Sequence, residues 1–242
     1  MNCKERLIVA LDVDTLQEVE SLVDKLNPYV GMFKVGLQLY TSLGPKIIEV
    51  IKNRGGRIFC DLKLHDIPNT VAQSSRVLTR LGVDLLNVHA SGGSKMMEAA
   101  AEAVANEASK LGIIKPSLIA VTVLTSLGTE DLKEIGLDKE PVEVVGSWAQ
   151  LAKSSGLDGV VSSPKEATLI KDLCGGEFLI VTPGIRPAGS NVFDQKRITT
   201  PSDALKVGAT HLVVGRPITN APDPALAAKK ILEEMEAYYA DK

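Results

Sequence analysis

Eight short apolar runs alternate with longer amphipathic stretches, and this rhythm constrains the fold more than any other feature of the chain. The runs are LIVALDV (7–13), MFKVG (32–36), RIFCDLK (57–63), DLLNVHA (84–90), SLIAVTVL (117–124), DGVVSS (158–163), FLIVTPG (178–184) and HLVVG (211–215). A sheet with one wet face needs polar residues at every second position. Near-continuous Leu-rich and β-branched runs instead fit strands buried on both faces, as in a parallel sheet. Helical patterns fill the intervals at 15–27, 43–54, 68–81, 94–110, 141–155, 165–173 and 223–239. The stretch 96–111, MMEAAAEAVANEASKL, is rich in strong helix formers. Leu81-Gly82-Val83, Ser155-Gly156-Leu157 and Val207-Gly208-Ala209 place glycine just past a helix end, a position that favours the left-handed conformation.

Strands alternating with helices define the α/β class, and eight of them predict a single (β/α)8 TIM barrel over 1–242. The length of 242 residues suits one such barrel, and no Pro/Gly/Ser linker or low-complexity tract divides it. An open doubly wound sheet is the alternative. That fold expects a glycine-rich phosphate loop after the first strand, and LIVALDV is not followed by one.

Composition narrows the partners. A net charge of −3 argues against nucleic acid as the main ligand. No apolar run approaches the roughly 18–20 residues that cross a bilayer, so no membrane partner is expected. The opening MNCKERLIVALDVD reads as a first strand, its apolar stretch interrupted by a carboxylate, and not as a signal peptide. Cys3, Cys60 and Cys174 are isolated and odd in number, which disfavours a zinc site or a disulfide framework and makes a reducing cytoplasm the simplest compartment.

In such a barrel, catalytic groups stand at the C-terminal ends of strands. Asp12 closes the first run, Lys34 sits inside the apolar second, Asp61 and Lys63 end the third, and Asp66 follows in the next loop. Asp61 and Lys63 are two apart, so a regular strand points both to one face. Two Asp with two Lys are locally neutral, which reduces the penalty of burying them. A structural ion-pair network is the competing reading, but structural networks rarely collect at the catalytic rim. Asp66, with Pro68 two residues on, also fits an N-cap of the following helix.

A second constellation lies near the other end. TPGIRP (182–187) follows the seventh run and VGRP (214–217) the eighth. Loops there commonly hold phosphate, with glycine letting backbone N–H groups approach the anion and arginine supplying a planar fork of donors. The polar segment 184–200, with Arg186, Asn191, Gln195 and Arg197, is expected to form a lid; a solvated turn-rich loop is its alternative. His65 and His89 lack a nucleophile partner, and Trp148 suits the core. Cys60 alternates with Asp61 and should face the helices. Asp61-x-Lys63-x-x-Asp66 offers oxygen ligands of the kind magnesium takes, but the lysines compete with a cation, so no metal is expected.

FCDLKLHDIPNT (59–70), with its Asp-x-Lys-x-x-Asp core, resembles the signature of the orotidine 5′-monophosphate decarboxylase family. The likeness continues through VALDVD (9–14), FKVG (33–36), NVHASGG (87–93), IAVTVLTS (119–126), IVTPGIRP (180–187) and VVGRPIT (213–219). It implies decarboxylation of orotidine 5′-monophosphate to uridine 5′-monophosphate, the last step of pyrimidine synthesis, with no cofactor or metal, in a homodimer. Carried onto this sequence, it makes Lys34, Asp61, Lys63 and Asp66 a charged tetrad, with Lys63 the proton donor. It implies that Asp66, Ile67 and Thr70 reach the partner's site, and that Asp12, Lys34 and Thr70 meet the ribose. Thr125 would meet the pyrimidine, and Arg186, Gln195, Gly215 and Arg216 the phosphate side, Gln195 bridging toward the base. Two other readings remain: a magnesium-dependent sugar-phosphate decarboxylase or aldolase of the same barrel group, and a non-catalytic sensor of nucleotide phosphate.

Overall fold

The structure, a computed structural model, describes residues 2–187 and 199–240. Its strands are β1 (Leu7–Ala10), β2 (Met32–Gly36), β3 (Ile58–Leu64), β4 (Leu85–His89), β5 (Ser117–Val121), β6 (Gly159–Val161), β7 (Leu179–Thr182) and β8 (His211–Val214). All pair in parallel with their sequence neighbours, and β1 pairs with β8, closing a barrel.

Both faces of the strands are buried, which is why the runs are continuous in hydrophobicity. Ile8, Ala10, Met32, Phe59, Leu85, Ile119, Val181 and Val213 fill the interior. Their chain neighbours, among them Val9, Phe33, Cys60, Leu86 and Leu212, pack outward against the helices in one larger core. The N-terminal end of the barrel is pinned by carboxylates: Asp84 Oδ2 accepts from Ile58 N at 2.8 Å, and Asp158 Oδ2 from Leu118 N at 2.8 Å. The helix Leu16–Leu26 starts with a capping box, in which Thr15 Oγ1 accepts from Glu18 N and Glu18 Oε2 from Thr15 N. Such a cap stabilises a helix by about 0.5–2 kcal/mol. Gly82 and Gly156, at φ 75° and 82°, make the left-handed turns expected after Pro68–Arg80 and Pro141–Ser154.

Several boundaries differ from the sequence reading. The strands end before the apolar runs do, because pairing stops where the loops of the barrel mouth begin. Asp12 therefore lies beyond β1, not in it. The pattern at 43–54 contains the helix Lys46–Asn53, preceded by a separate Leu37–Leu43. Thr129–Glu134, Pro201–Lys206 and Arg216–Thr219 are further helices that hydrophobic periodicity did not mark. They span too few turns to build a repeating apolar stripe. Among the described residues, no helix is long and apolar enough to cross a membrane.

Candidate active site

The charged residues of the second and third runs meet at the C-terminal mouth of the barrel. β2 alternates, so Lys34 points inward above the interior Met32, and β3 places Asp61 beside it, Gly36 being paired with Asp61. Lys34 Nζ stands 3.3 Å from Asp12 Oδ1 and 3.4 Å from Asp61 Oδ2. Lys63 Nζ donates to Asp61 Oδ1 at 2.7 Å. The charges thus alternate Asp12, Lys34, Asp61, Lys63. The side chains of Lys34 and Asp61 are each 12% exposed and that of Lys63 29%, so the array is shielded inside but open to the mouth. Burial without partners would be costly for Lys34 and Asp61, and each has two: Lys34 faces Asp12 and Asp61, and Asp61 faces Lys34 and Lys63.

Asp61 and Lys63 do not meet by regular two-residue alternation. The β3–β4 register shifts between Cys60 and Leu64, and Lys63 has φ 53°. In that irregularity Asn87 of β4, buried inside the barrel, accepts from Lys63 N at 2.8 Å and donates through Nδ2 to Asp61 Oδ1 at 2.7 Å. Sequence reasoning missed Asn87. The signal was available: a polar residue at an inward position of an apolar run, as with Lys34.

The array borders a cleft of ≈ 220 Å³. Its floor is apolar, with Phe59, Val121, Val161, Val181 and Val213, while Thr125, Ser162 and Pro183 stand on its wall. The β8 loop adjoins the charged side, since a Cβ built on Gly215 would lie 3.6 Å from Asp12 Oδ2. Arg216 opens the helix Arg216–Thr219 and is exposed. Arg186 is buried just beyond β7, and its backbone N–H donates to Thr199 O at 3.1 Å. Gln195, together with Asn191 and Arg197 of the expected lid, lies outside the described residues.

Asp66 stands apart from the array within its own chain. His65–Thr70 are all exposed, Ile67 by 66%, and Asp66 Oδ1 accepts from Ile67 N at 2.6 Å. The capping alternative for Asp66 fails, because the N-cap of Pro68–Arg80 is Ile67 and no side chain caps it. His89, half-buried, lies 5.4 Å from His65, ring centre to ring centre. Burial, then the neighbouring His65 and the Lys63 ammonium, lower its pKa and favour the neutral ring. Cys60 is fully buried on the outer face, and burial pushes its thiol up to about 12, so it is a packing residue and no nucleophile.

A cleft with an apolar floor, two ammonium groups on one side and arginine-bearing loops after β7 and β8 suits a flat heterocycle carrying a phosphate. Comparison with known proteins agrees. The family described as "Orotidine 5'-phosphate decarboxylase / HUMPS family" matches residues 5–231. A relative named orotidine 5′-phosphate decarboxylase from Moorella thermoacetica is 57% identical over 98% of this chain and 94% of its own length. One of the same name from Syntrophomonas wolfei is 54% identical over 98% and 100%. The crystal structure of orotidine 5′-phosphate decarboxylase from Lactobacillus acidophilus superposes with a TM-score of 0.84 at 40% identity, covering 95% of this chain and 98% of that one.

Proposed function

The chain belongs to the orotidine 5′-phosphate decarboxylase family and decarboxylates orotidine 5′-monophosphate to uridine 5′-monophosphate in pyrimidine synthesis, and we propose that Lys63 is the group that makes this possible. The observation that carries this reading is the Lys34–Asp61–Lys63 array beside an apolar cleft. When the C6–carboxylate bond breaks, CO2 leaves and the electron pair stays on C6, where the ring offers no adjacent sink. An ammonium at roughly 3–4 Å, at an effective dielectric near 20, stabilises that charge by about 4–5 kcal/mol as an upper-end Coulomb figure. Lys63 then donates its proton to C6, forming the new C–H bond, and is reprotonated from water. Asp61 keeps Lys63 charged and aimed.

Around that centre, Asp12 and Lys34 take the ribose hydroxyls and Thr125 the pyrimidine edge. Arg186, Gln195, Gly215 and Arg216 take the phosphate, whose binding far from C6 lowers the barrier there. The donor set supports chemistry without a metal: each carboxylate of the array already faces an ammonium, where a divalent ion would need it bare. The test is turnover of orotidine 5′-monophosphate followed by absorbance, with and without a chelator. Turnover indifferent to chelator is expected. Loss on chelation would favour the magnesium-dependent reading, and no turnover at all the sensor.

The functional unit in this reading is a homodimer in which Asp66, Ile67 and Thr70 complete the partner's site. Their exposure supports it, as does an Asp66 carboxylate turned to Ile67 N while Lys63 pairs with Asp61. Mixing Asp66→Ala with Lys63→Ala protein tests this. A shared site leaves each mixed dimer with one intact site, so activity rises on mixing; with subunit exchange shown by recovery through a tag, no rise refutes it. Three free, buried cysteines fit a cytoplasmic setting.

A further inference from the structure

Asn87 occupies the one position of β4 that faces a break in the barrel's hydrogen-bond ladder. Cys60 pairs with Leu86 and Leu64 with Val88, so Asp61, Leu62 and Lys63 of β3 stand against Asn87 alone. Arg57 O accepts from Phe33 N of β2 and Ile58 O from Asp84 N just before β4, so regular alternation along β3 would turn the Lys63 N–H away from β4. Here the side chain of Asn87 accepts it at 2.8 Å. The same amide donates to Asp61 Oδ1 at 2.7 Å, the oxygen that also accepts from Lys63 Nζ at 2.7 Å. The amide's orientation is fixed by its neighbours, since a backbone N–H needs an acceptor and a carboxylate needs a donor. Lys63 is the one non-glycine among the described residues with positive φ, a conformation that persists only where the surroundings over-determine it.

We propose that Asn87 is a positioning residue for the decarboxylation: it holds the backbone of Lys63 in its left-handed turn and the carboxylate of Asp61 in its rotamer, and thereby aims the ammonium into the cleft. The inference rests on the assignment of Lys63 as proton donor. Asn87 is 1% exposed and is not among the residues lining the cleft, so it acts on the reaction through Asp61 and Lys63 and not by touching substrate. Losing a buried hydrogen bond to a charged group moves an equilibrium by about tenfold to a hundredfold. Because the aim of Lys63 matters at the transition state, that loss falls on kcat and spares binding.

Two variants test it in the orotidine 5′-monophosphate assay, beside binding of the product uridine 5′-monophosphate. Asn87→Ala removes both bonds; kcat should fall about 10- to 100-fold while KM and product affinity stay within about threefold. Asn87→Asp has the same shape and still accepts from Lys63 N–H, but sets a carboxylate against Asp61. It should fold and lose kcat at least as severely, again with product binding kept. A folded variant of either kind with kcat within about threefold of the parent overturns the proposal, and so does a parallel loss of kcat and product affinity. Failure of both variants to fold would make Asn87 purely structural and overturn it too. The parent protein separates the two layers: a parent that does not turn over orotidine 5′-monophosphate refutes the functional reading, whereas an active parent with unaffected variants refutes Asn87 alone.

Discussion

The tightest backbone approach to the charged array is at Gly36, and a single methyl group there gives a graded test of it. Gly36 ends β2 with φ −93° and ψ −176°, extended values that alanine adopts without strain. A Cβ at this position would stand 2.7 Å from Lys34 Nζ and 3.7 Å from Asp12 Oδ1. The ammonium is the far end of a flexible side chain, so it moves and the strand does not. Restoring ordinary contact takes a shift of about 0.7 Å, and at an effective dielectric near 20 that weakens each of the two ion pairs of Lys34 by about 0.8 kcal/mol. Asp12 is 49% exposed and its pair is screened by water, which leaves a net effect of about 1 kcal/mol, roughly fivefold in rate. Gly36→Ala should therefore lower kcat/KM for orotidine 5′-monophosphate by about fivefold. Thermal stability should change little, because the weakened ion pairs are offset by the fewer unfolded conformations that alanine has to lose, about 0.4–1 kcal/mol. In a Lys34→Ala background the same methyl should have no further effect, since its action runs through the displaced ammonium. A kcat/KM within twofold of the parent, or an undiminished effect without Lys34, would refute the reasoning.

Lys63→Ala should abolish turnover while product affinity survives; single-turnover rates within tenfold of the parent would remove it as proton donor. Arg216→Ala should harm the nucleotide far more than a substrate lacking the phosphate, by about 1.5–3 kcal/mol for a charge-assisted bond, and equal losses in kcat/KM on both would make Arg216 structural. His211, at the opposite end of the barrel, has its pKa brought from 6.5 to about 4 by burial first and by the charges of Arg6 and Arg57 second. The folded protein then binds this proton less readily than the unfolded chain, so its contribution is complete above the unfolded value and stability falls as pH drops from about 6.5 toward about 4, by at most about 3 kcal/mol. His211→Gln should flatten the fall in Tm between about pH 7.5 and pH 4.5, and an unchanged fall would assign acid sensitivity to other groups.

What could be read from the chain alone follows from how local each signal is. The barrel was legible because burial on both faces writes itself into every strand as an unbroken apolar run: Val9 and Phe33 pack outward while Ile8 and Met32 pack inward, and none of the four is polar. Lys34 was legible against that background, as a charge where every neighbour is apolar. The contact between Asp61 and Lys63 was expected for the wrong geometric reason. Regular alternation predicted it, yet the two side chains meet across an irregular stretch with Lys63 at φ 53°. A register shift is a property of two strands together, and the residue that closes it, Asn87, lies 24 positions from Lys63. A window around Lys63 does not contain that partner; Asn87 stands out only as a polar residue within its own apolar run. The same limit explains Asp66, whose sequence context allowed a cap or a catalytic role. Only the backbone shows that Ile67 holds the cap position and that the Asp66 carboxylate is turned to Ile67 N. Local pattern thus fixes which residues reach the barrel mouth. How they are aimed there depends on pairings between strands, and that is where substitutions at Gly36 and Asn87, neither of them charged, should alter the chemistry of residues that are.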